Sequence, residues 1–156
     1  MSEQVRSFEM RPIGIVERLD GITEGGVDQA TEAVIRVRPE WIDQLVGLEG
    51  FSHLVVVGWL DRAERREPGA GLMRPEGRED LPEVGVFATR SPKRPNPIGL
   101  CYPRVIAIEG DAIRVTGLDF WDGTPVVDIK GYFPRDEMRP EATVPDRADT
   151  ICAPEA

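Results

Sequence analysis

Residues 53–60, HLVVVGWL, form a nearly continuous apolar run rich in β-branched side chains. A run of this length, bounded by polar segments, predicts a strand buried on both faces. In strand phase His53 falls with Phe51, Val55, Val57 and Trp59. Upstream, residues 11–18 (RPIGIVER) alternate well enough to be a first strand, followed by the polar, Gly-rich loop DGITEGG at 20–26. Residues 33–37 (AVIRV) predict a second strand with Arg36 on its wet face. Pro39 then opens a short helix, PEWIDQLV, that Gly47 ends. Trp41, Leu45 and Leu48 are expected to line the core side of that helix.

Downstream, residues 61–83 are polar, charged and rich in Pro and Gly, a loop length that is usually functional or disordered. Residues 85–89 (GVFAT) predict a short strand, and residues 97–109 hold a further one. Gly110-Asp111 turns the chain into residues 112–118, a hairpin. The turn Asp122-Gly123 introduces the last strand, 124–129. Beyond Pro134 the chain is too polar and Pro-rich to form core. The expected organisation is therefore one domain over 1–134 and a polar tail over 135–156. Six or seven short strands, one or two short helices and no alternating β-α pattern indicate a mostly-β barrel or sandwich.

The 14 prolines and 16 glycines exclude a helical bundle and suit a turn-rich fold. Cys101 and Cys152 are too few and too far apart for a disulfide framework or a metal knuckle, so no metal is expected. Cys101 is read as a buried thiol. The N-terminus, MSEQVRSFEM, lacks the apolar run of a signal peptide, and the longest apolar run, 54–60, is far short of a membrane span. A reduced, cytoplasmic setting follows. A net charge of −9 opposes broad nonspecific binding to nucleic acid. The balance is uneven, because residues 62–104 carry nine Arg and Lys against six Asp and Glu. That basic stretch fits either a phosphate- or carboxylate-bearing ligand or a solvated, salt-bridged loop. Gly69-Ala70-Gly71 follows no strand and is not a dinucleotide fingerprint. Without a strand–GxGxG–helix unit, the doubly wound nucleotide-binding design is excluded.

The densest chemistry lies in residues 85–100, GVFATRSPKRPNPIGL. Three prolines and an Asn within six residues make a stiff loop that displays Arg90, Lys93 and Arg94. A preordered loop loses little entropy on binding, and an arginine fork suits a carboxylate or phosphate. The segment is either an anion-binding rim at a strand end or simply a corner between strands.

Thr89-Arg90-Ser91-Pro92 followed by Arg94-Pro95-Asn96-Pro97-Ile98-Gly99 resembles the signature loop of the TsaA/TrmO-like family. Arg11-Pro12-Ile13-Gly14-Ile15-Val16 resembles that family's opening strand, and Leu48-Glu49-Gly50-Phe51-Ser52-His53-Leu54 its helix-to-strand block. Leu118-Asp119 with Asp122-Gly123-Thr124-Pro125-Val126-Val127-Asp128-Ile129-Lys130 resembles its C-terminal block. The resemblance implies a small closed or partly closed β-barrel that binds S-adenosylmethionine and works as a homodimer. The implied activity is methylation of the exocyclic amine of threonylcarbamoyladenosine in tRNA. Carried over by motif, the implied cofactor contacts are Asp61, Arg62, Arg90, Leu100, Asp119, Phe120, Trp121 and Asp122. A carboxylate can meet an Arg, ribose hydroxyls an Asp, and adenine an apolar wall such as Leu100, Phe120 or Trp121.

Two departures from the family pattern bear on the acceptor. Where the family commonly ends its central strand with an aromatic and a His, this chain has Trp59-Leu60-Asp61. Longer members also carry a further C-terminal domain. A small metabolite as acceptor, and a cofactor-binding module without transfer, therefore stand beside tRNA methylation. For the transfer itself, Lys130 and Tyr132 at the end of the last strand are candidate catalytic residues, with Asp128 nearby. Lys130 and Asp128, two apart on a strand, also suit a surface ion pair. His53, the single histidine, is either a general base or a satisfied structural residue.

Overall fold

The computed structural model describes residues 6–20, 30–146 and 148. Residues 1–5, Cys152, most of the 20–26 loop and the end of the expected tail lie outside them. Among the described residues seven strands form one sheet, β1 (Gly14–Arg18), β2 (Glu32–Val37), β3 (Leu54–Trp59), β4 (Ile98–Cys101), β5 (Arg104–Glu109), β6 (Ala112–Thr116) and β7 (Pro125–Gly131). Their spatial order is β4-β3-β7-β1-β2-β6-β5. The ladders β1–β2, β1–β7, β2–β6, β3–β7 and β5–β6 are antiparallel. The chain groups into two compact units, residues 1–61 with 99–132 and residues 62–98 with 133–156.

In the first unit, alternation sorts the strands as the pleat requires. Val16, Ala33, Ile35, Val37, Leu54, Val56, Ile113, Val115, Leu118, Phe120 and Val126 are buried in a single cluster that also takes in Cys101. Arg36 stays on the wet face of β2 as expected and pairs with Glu17 and Asp111, both at 2.9 Å. Gly110, at φ +60°, makes the β5–β6 hairpin turn, and Gly123, at φ +81°, makes the turn into β7. The ladder order leaves β4 and β5 at its two ends. One bridge, His53 opposite Arg104, ties the start of β5 back to the approach to β3. It is framed by Leu54 N–H to Pro103 O (3.1 Å) and Val105 N–H to Ser52 O (2.8 Å).

Several expectations need correction. The stretch 85–89 is not a strand. Val86–Ala88 is a single 3-10 turn, held by Ala88 N–H to Gly85 O and by the Thr89 hydroxyl to Val86 O. Residues 97–109 hold two strands, because Tyr102-Pro103 breaks the run and Pro103 has no N–H for a ladder. The helix is a 3-10 helix over Pro39–Leu45. With three residues per turn, Ile42 and Leu45 share a half-buried face while Trp41 is exposed. Leu45 and Leu48 pack on the core as expected. Phe51 leaves the phase of His53, since the strand starts only at Leu54 and the Phe51 ring lies over the Cα of Gly131.

The second unit holds the segment expected to be an irregular loop. Met73 and Val84 exchange two backbone hydrogen bonds of 2.8 Å, and Leu81, Val86 and Pro97 are buried. A single helical turn, Pro134–Glu137, follows β7 and buries none of its residues.

One packing contact in the first unit sets the site. The Phe120 ring, 3% exposed, fills space against Gly58 of β3 and Gly99 of β4. A Cβ at Gly58 would lie 2.7 Å from that ring, and one at Gly99 2.5 Å from it and 3.0 Å from a Leu60 methyl. Gly99→Ala is therefore expected to cost roughly 1–3 kcal/mol, the scale of core overpacking. Urea denaturation checks this, and Phe120→Leu in the same chain should recover part of the loss.

Candidate functional site

The Phe120 contact draws together three segments of the first unit, namely the end of β3 with Leu60 and Asp61, the start of β4 with Leu100, and the turn at 118–122. A buried arginine fixes that turn. The Arg18 side chain is 2% exposed, and its guanidinium donates to the carbonyl oxygens of Leu118 (3.3 Å) and Phe120 (3.4 Å). The same guanidinium pairs with Asp20. The Arg18 backbone N–H donates to Asp122 Oδ1 at 2.8 Å. Sequence reading missed Arg18, which stood as an ordinary strand-end arginine. Its burial follows from the tertiary placement of carbonyls a hundred residues away.

This framework divides the expected cofactor contacts. Phe120 and Asp122 serve the structure, the ring as core and the carboxylate as acceptor for β1. Asp61 and Asp119 are exposed, and their carboxylates have no hydrogen-bond or ion-pair partner among the described residues. Leu100 is 40% exposed and Trp121 37% exposed, so both keep apolar surface open. Two carboxylates can accept from hydroxyls such as those of a ribose diol, and an aliphatic side chain and an indole offer apolar surface to a flat base.

Arg62 and Arg90 belong to the second unit. Arginines build much of that unit. Arg66 donates to the carbonyls of Ala70, Gly71 and Leu72, Arg74 to those of Glu79 and Leu81, and Arg94 to those of Val86, Thr89 and Ser91. The Arg94 guanidinium also lies 5.9 Å from the centre of the Phe87 ring. Lys93 is 3.8 Å from Glu64. Of the three cations read as displayed, Arg94 is thus turned back onto the loop and Lys93 is paired. Arg90 is exposed and makes no hydrogen bond or ion pair among the described residues. It can give its whole planar fork to an anion.

Lys130 Nζ lies 2.5 Å from Asp128 Oδ2. This hydrogen bond, reinforced by the charge of Asp128, pushes the Lys130 ammonium above its ordinary lysine value. Held protonated, Lys130 is suited to stabilise negative charge rather than to accept a proton. The Tyr132 ring meets His53 at 6.4 Å and Tyr102 at 5.9 Å, both edge-on. His53 Nδ1 is 3.0 Å from the Ser52 hydroxyl. Among the described residues no group of three His, Cys, Asp or Glu could hold a metal. An open groove of about 320 Å³ lined by Pro12, Gly14, Arg38 and Pro125 contains none of the expected site residues.

An antiparallel β protein with this turn and loop is a member of a known class. The chain belongs to the family of the tRNA-methyltransferase O (TrmO) N-terminal domain, whose model matches residues 19–137. It is 41% identical over 131 residues to a probable S-adenosyl-L-methionine-binding protein of Methanothermobacter thermautotrophicus, covering 81% of this chain and 90% of that one. It is 34% identical over 145 residues to the human tRNA (adenine(37)-N6)-methyltransferase, covering 84% of this chain and 32% of that one. The crystal structure of TrmO from Pseudomonas aeruginosa matches with a TM-score of 0.74 at 27% identity, covering 92% of this chain and 63% of that chain. The chain therefore spans just under two thirds of that TrmO structure.

Two measurements test the site's construction. Arg18→Met should destabilise the protein by roughly 3–5 kcal/mol in chemical denaturation, because it removes the ion pair with Asp20 and the donors to two buried carbonyls. Asp128→Asn should move the Lys130 titration down toward that of an ordinary lysine when followed by NMR. The sign is fixed by linkage. A raised lysine pKa contributes stability that is complete below the unfolded pKa and lost as pH rises through the folded one. The Asp128→Asn chain should therefore lack a small loss of stability that the parent shows only in strongly alkaline solution.

Proposed function

We propose that this protein is an S-adenosylmethionine-dependent methyltransferase acting on the exocyclic amine of threonylcarbamoyladenosine in tRNA. The observation that carries the reading is the 118–122 turn, pinned by Arg18 and Phe120, with Asp119 and Trp121 left open beside Leu100 and Asp61. Family membership supports the chemistry, and relatives named as S-adenosyl-L-methionine-binding proteins support the cofactor. The relatives named as tRNA (adenine(37)-N6)-methyltransferases support the acceptor. The single bridge from β5 to the approach to β3 is read as partial closure of a barrel. Assembly as a homodimer and a cytoplasmic location belong to the same reading.

S-adenosylmethionine, when bound, supplies an electrophilic methyl group on a sulfonium. The chain's own part is binding and orientation. Asp61 and Asp119 are the acceptors for ribose hydroxyls, and Leu100 and Trp121 are the apolar wall for adenine. Arg90 is the partner for a carboxylate, and Arg62 adds positive charge to the same unit. Tyr132 and the Lys130 ammonium lie at the end of β7, where a phenol can orient an acceptor amine and a cation can hold an anionic group. In-line displacement needs the acceptor nitrogen held about 3 Å from the methyl carbon, so alignment does most of the work required of the protein.

A second reading, methylation of a small metabolite, is favoured by the net charge of −9, which repels a polyanion such as tRNA. Calorimetric titration with S-adenosylmethionine, followed by transfer of labelled methyl to tRNA and to a metabolite extract, separates the readings. Binding by the native chain should weaken by about 1.5–3 kcal/mol in Arg90→Ala, the scale of a charge-assisted hydrogen bond. Labelled tRNA supports the first reading and a labelled small molecule the second. Binding without transfer to either leaves a cofactor-binding module, and no binding at all overturns the proposal.

A further inference from the structure

Where β3 and β5 begin and β4 and β7 end, four side chains form a cluster that no cofactor contact uses. His53 and Arg104 face each other at the bridge. The flanking bonds from Leu54 and Val105 make this the close, non-hydrogen-bonded type of antiparallel pair, whose two side chains lie together on one face. Tyr132 joins them from the other side, its N–H donating to His53 O at 3.0 Å. Its ring meets His53 at 6.4 Å and 61°, and Tyr102 at 5.9 Å and 83°. Tyr102 is 48% exposed, so a face of its ring is open. Arg104 is exposed and has no hydrogen-bond or ion-pair partner among the described residues, in contrast to the paired Arg36 and Arg114. Lys130 stands two residues before Tyr132, so it emerges on the same face.

We propose that Tyr102, Tyr132, His53 and Arg104 form the acceptor platform, where a flat base stacks on the open face of Tyr102 with Tyr132 edge-on beside it, and its adjoining phosphate meets Arg104. The inference rests on the methyl-transfer reading above and assigns its acceptor side. Aromatic rings beside an unpaired cation are the combination that holds single-stranded nucleotides, the ring taking the base and the cation the backbone. Leu100, on the donor side of that reading, precedes Tyr102 by two residues and is exposed like it. Tyr102 lies just past the end of β4, and two residues of extended chain span roughly 7 Å. A base on Tyr102 is thereby placed within one strand step of the donor wall. The ligand chemistry is a purine with a phosphate, from either an RNA strand or a free nucleotide.

The test uses the full chain with two probes, a seven-nucleotide single-stranded RNA and adenosine 5′-monophosphate, with S-adenosylmethionine affinity measured in parallel. Tyr102→Ala should weaken probe binding by roughly 5- to 150-fold, the range that base–aromatic stacking covers, and Tyr102→Phe should stay near the parent. Arg104→Gln should weaken RNA binding and reduce the slope of log affinity against log salt by about 0.7. Affinity for S-adenosylmethionine should be unchanged in all three. Losses with RNA alone assign an RNA acceptor, and equal losses with the mononucleotide assign a free nucleotide. Parent-like probe binding by Tyr102→Ala and Arg104→Gln overturns the platform. A matching loss of S-adenosylmethionine affinity does so too, because the residues would then hold the donor. If the parent binds S-adenosylmethionine but neither probe, the platform fails and the donor reading stands. If it binds RNA but not S-adenosylmethionine, the donor reading fails and the platform stands.

Discussion

The Phe120 ring depends on the absence of two side chains. Gly58 and Gly99 leave space that the aromatic ring takes between neighbouring strands of the first unit, and the ring converts that space into a three-way junction. Strand β3 thereby ends where β4 starts, beside the turn that carries Asp119 and Trp121. A buried aromatic brings a large apolar contact and a fixed geometry, so the turn inherits the rigidity of the core. Arg18 completes the constraint from β1. It satisfies carbonyls that the irregular backbone at 118–120 would otherwise leave buried without partners.

The second unit reaches order by another route. It has few buried apolar residues, and its backbone carbonyls are gathered instead by arginine side chains, each spanning several carbonyls at once. A planar guanidinium with five donors is suited to this, since one side chain can satisfy a whole bend of the chain. The basic excess of 62–104 is therefore used mostly within the loop. Arg90 differs from these neighbours in making no hydrogen bond or ion pair among the described residues.

The strand periodicities of 11–18, 33–37, 53–60 and 112–118 were legible because burial on one or both faces writes itself into alternation or into continuous apolar runs. The hairpin at Gly110 was legible through turn chemistry. The stretch 85–89 misled because Val86, Phe87 and Thr89 have strand propensities, while the local Thr89 hydroxyl and backbone bonds favour a turn. Trp41 misled because the pattern was read with the α-helical period, and the helix has the tighter 3-10 one. Of the proposed site, the acidic turn, Leu100 and Arg90 could be put forward from motif alone. That Phe120 and Asp122 are structural, and that Arg94 is consumed by its own loop, could not.

By itself the sequence determined the mostly-β class, the strands of the core, the turns and the family, since each depends on residues within a few positions of one another. Only the tertiary structure decided which polar groups remain open. That outcome depends on which carbonyl or carboxylate from a distant strand arrives beside a given side chain. Arg18 meets carbonyls a hundred residues away, and His53 is set between Tyr132 and Arg104 by two different strands. Spacing along a chain carries no record of those meetings. They arise from the strand order, and the order is fixed by how the whole sheet buries its apolar face.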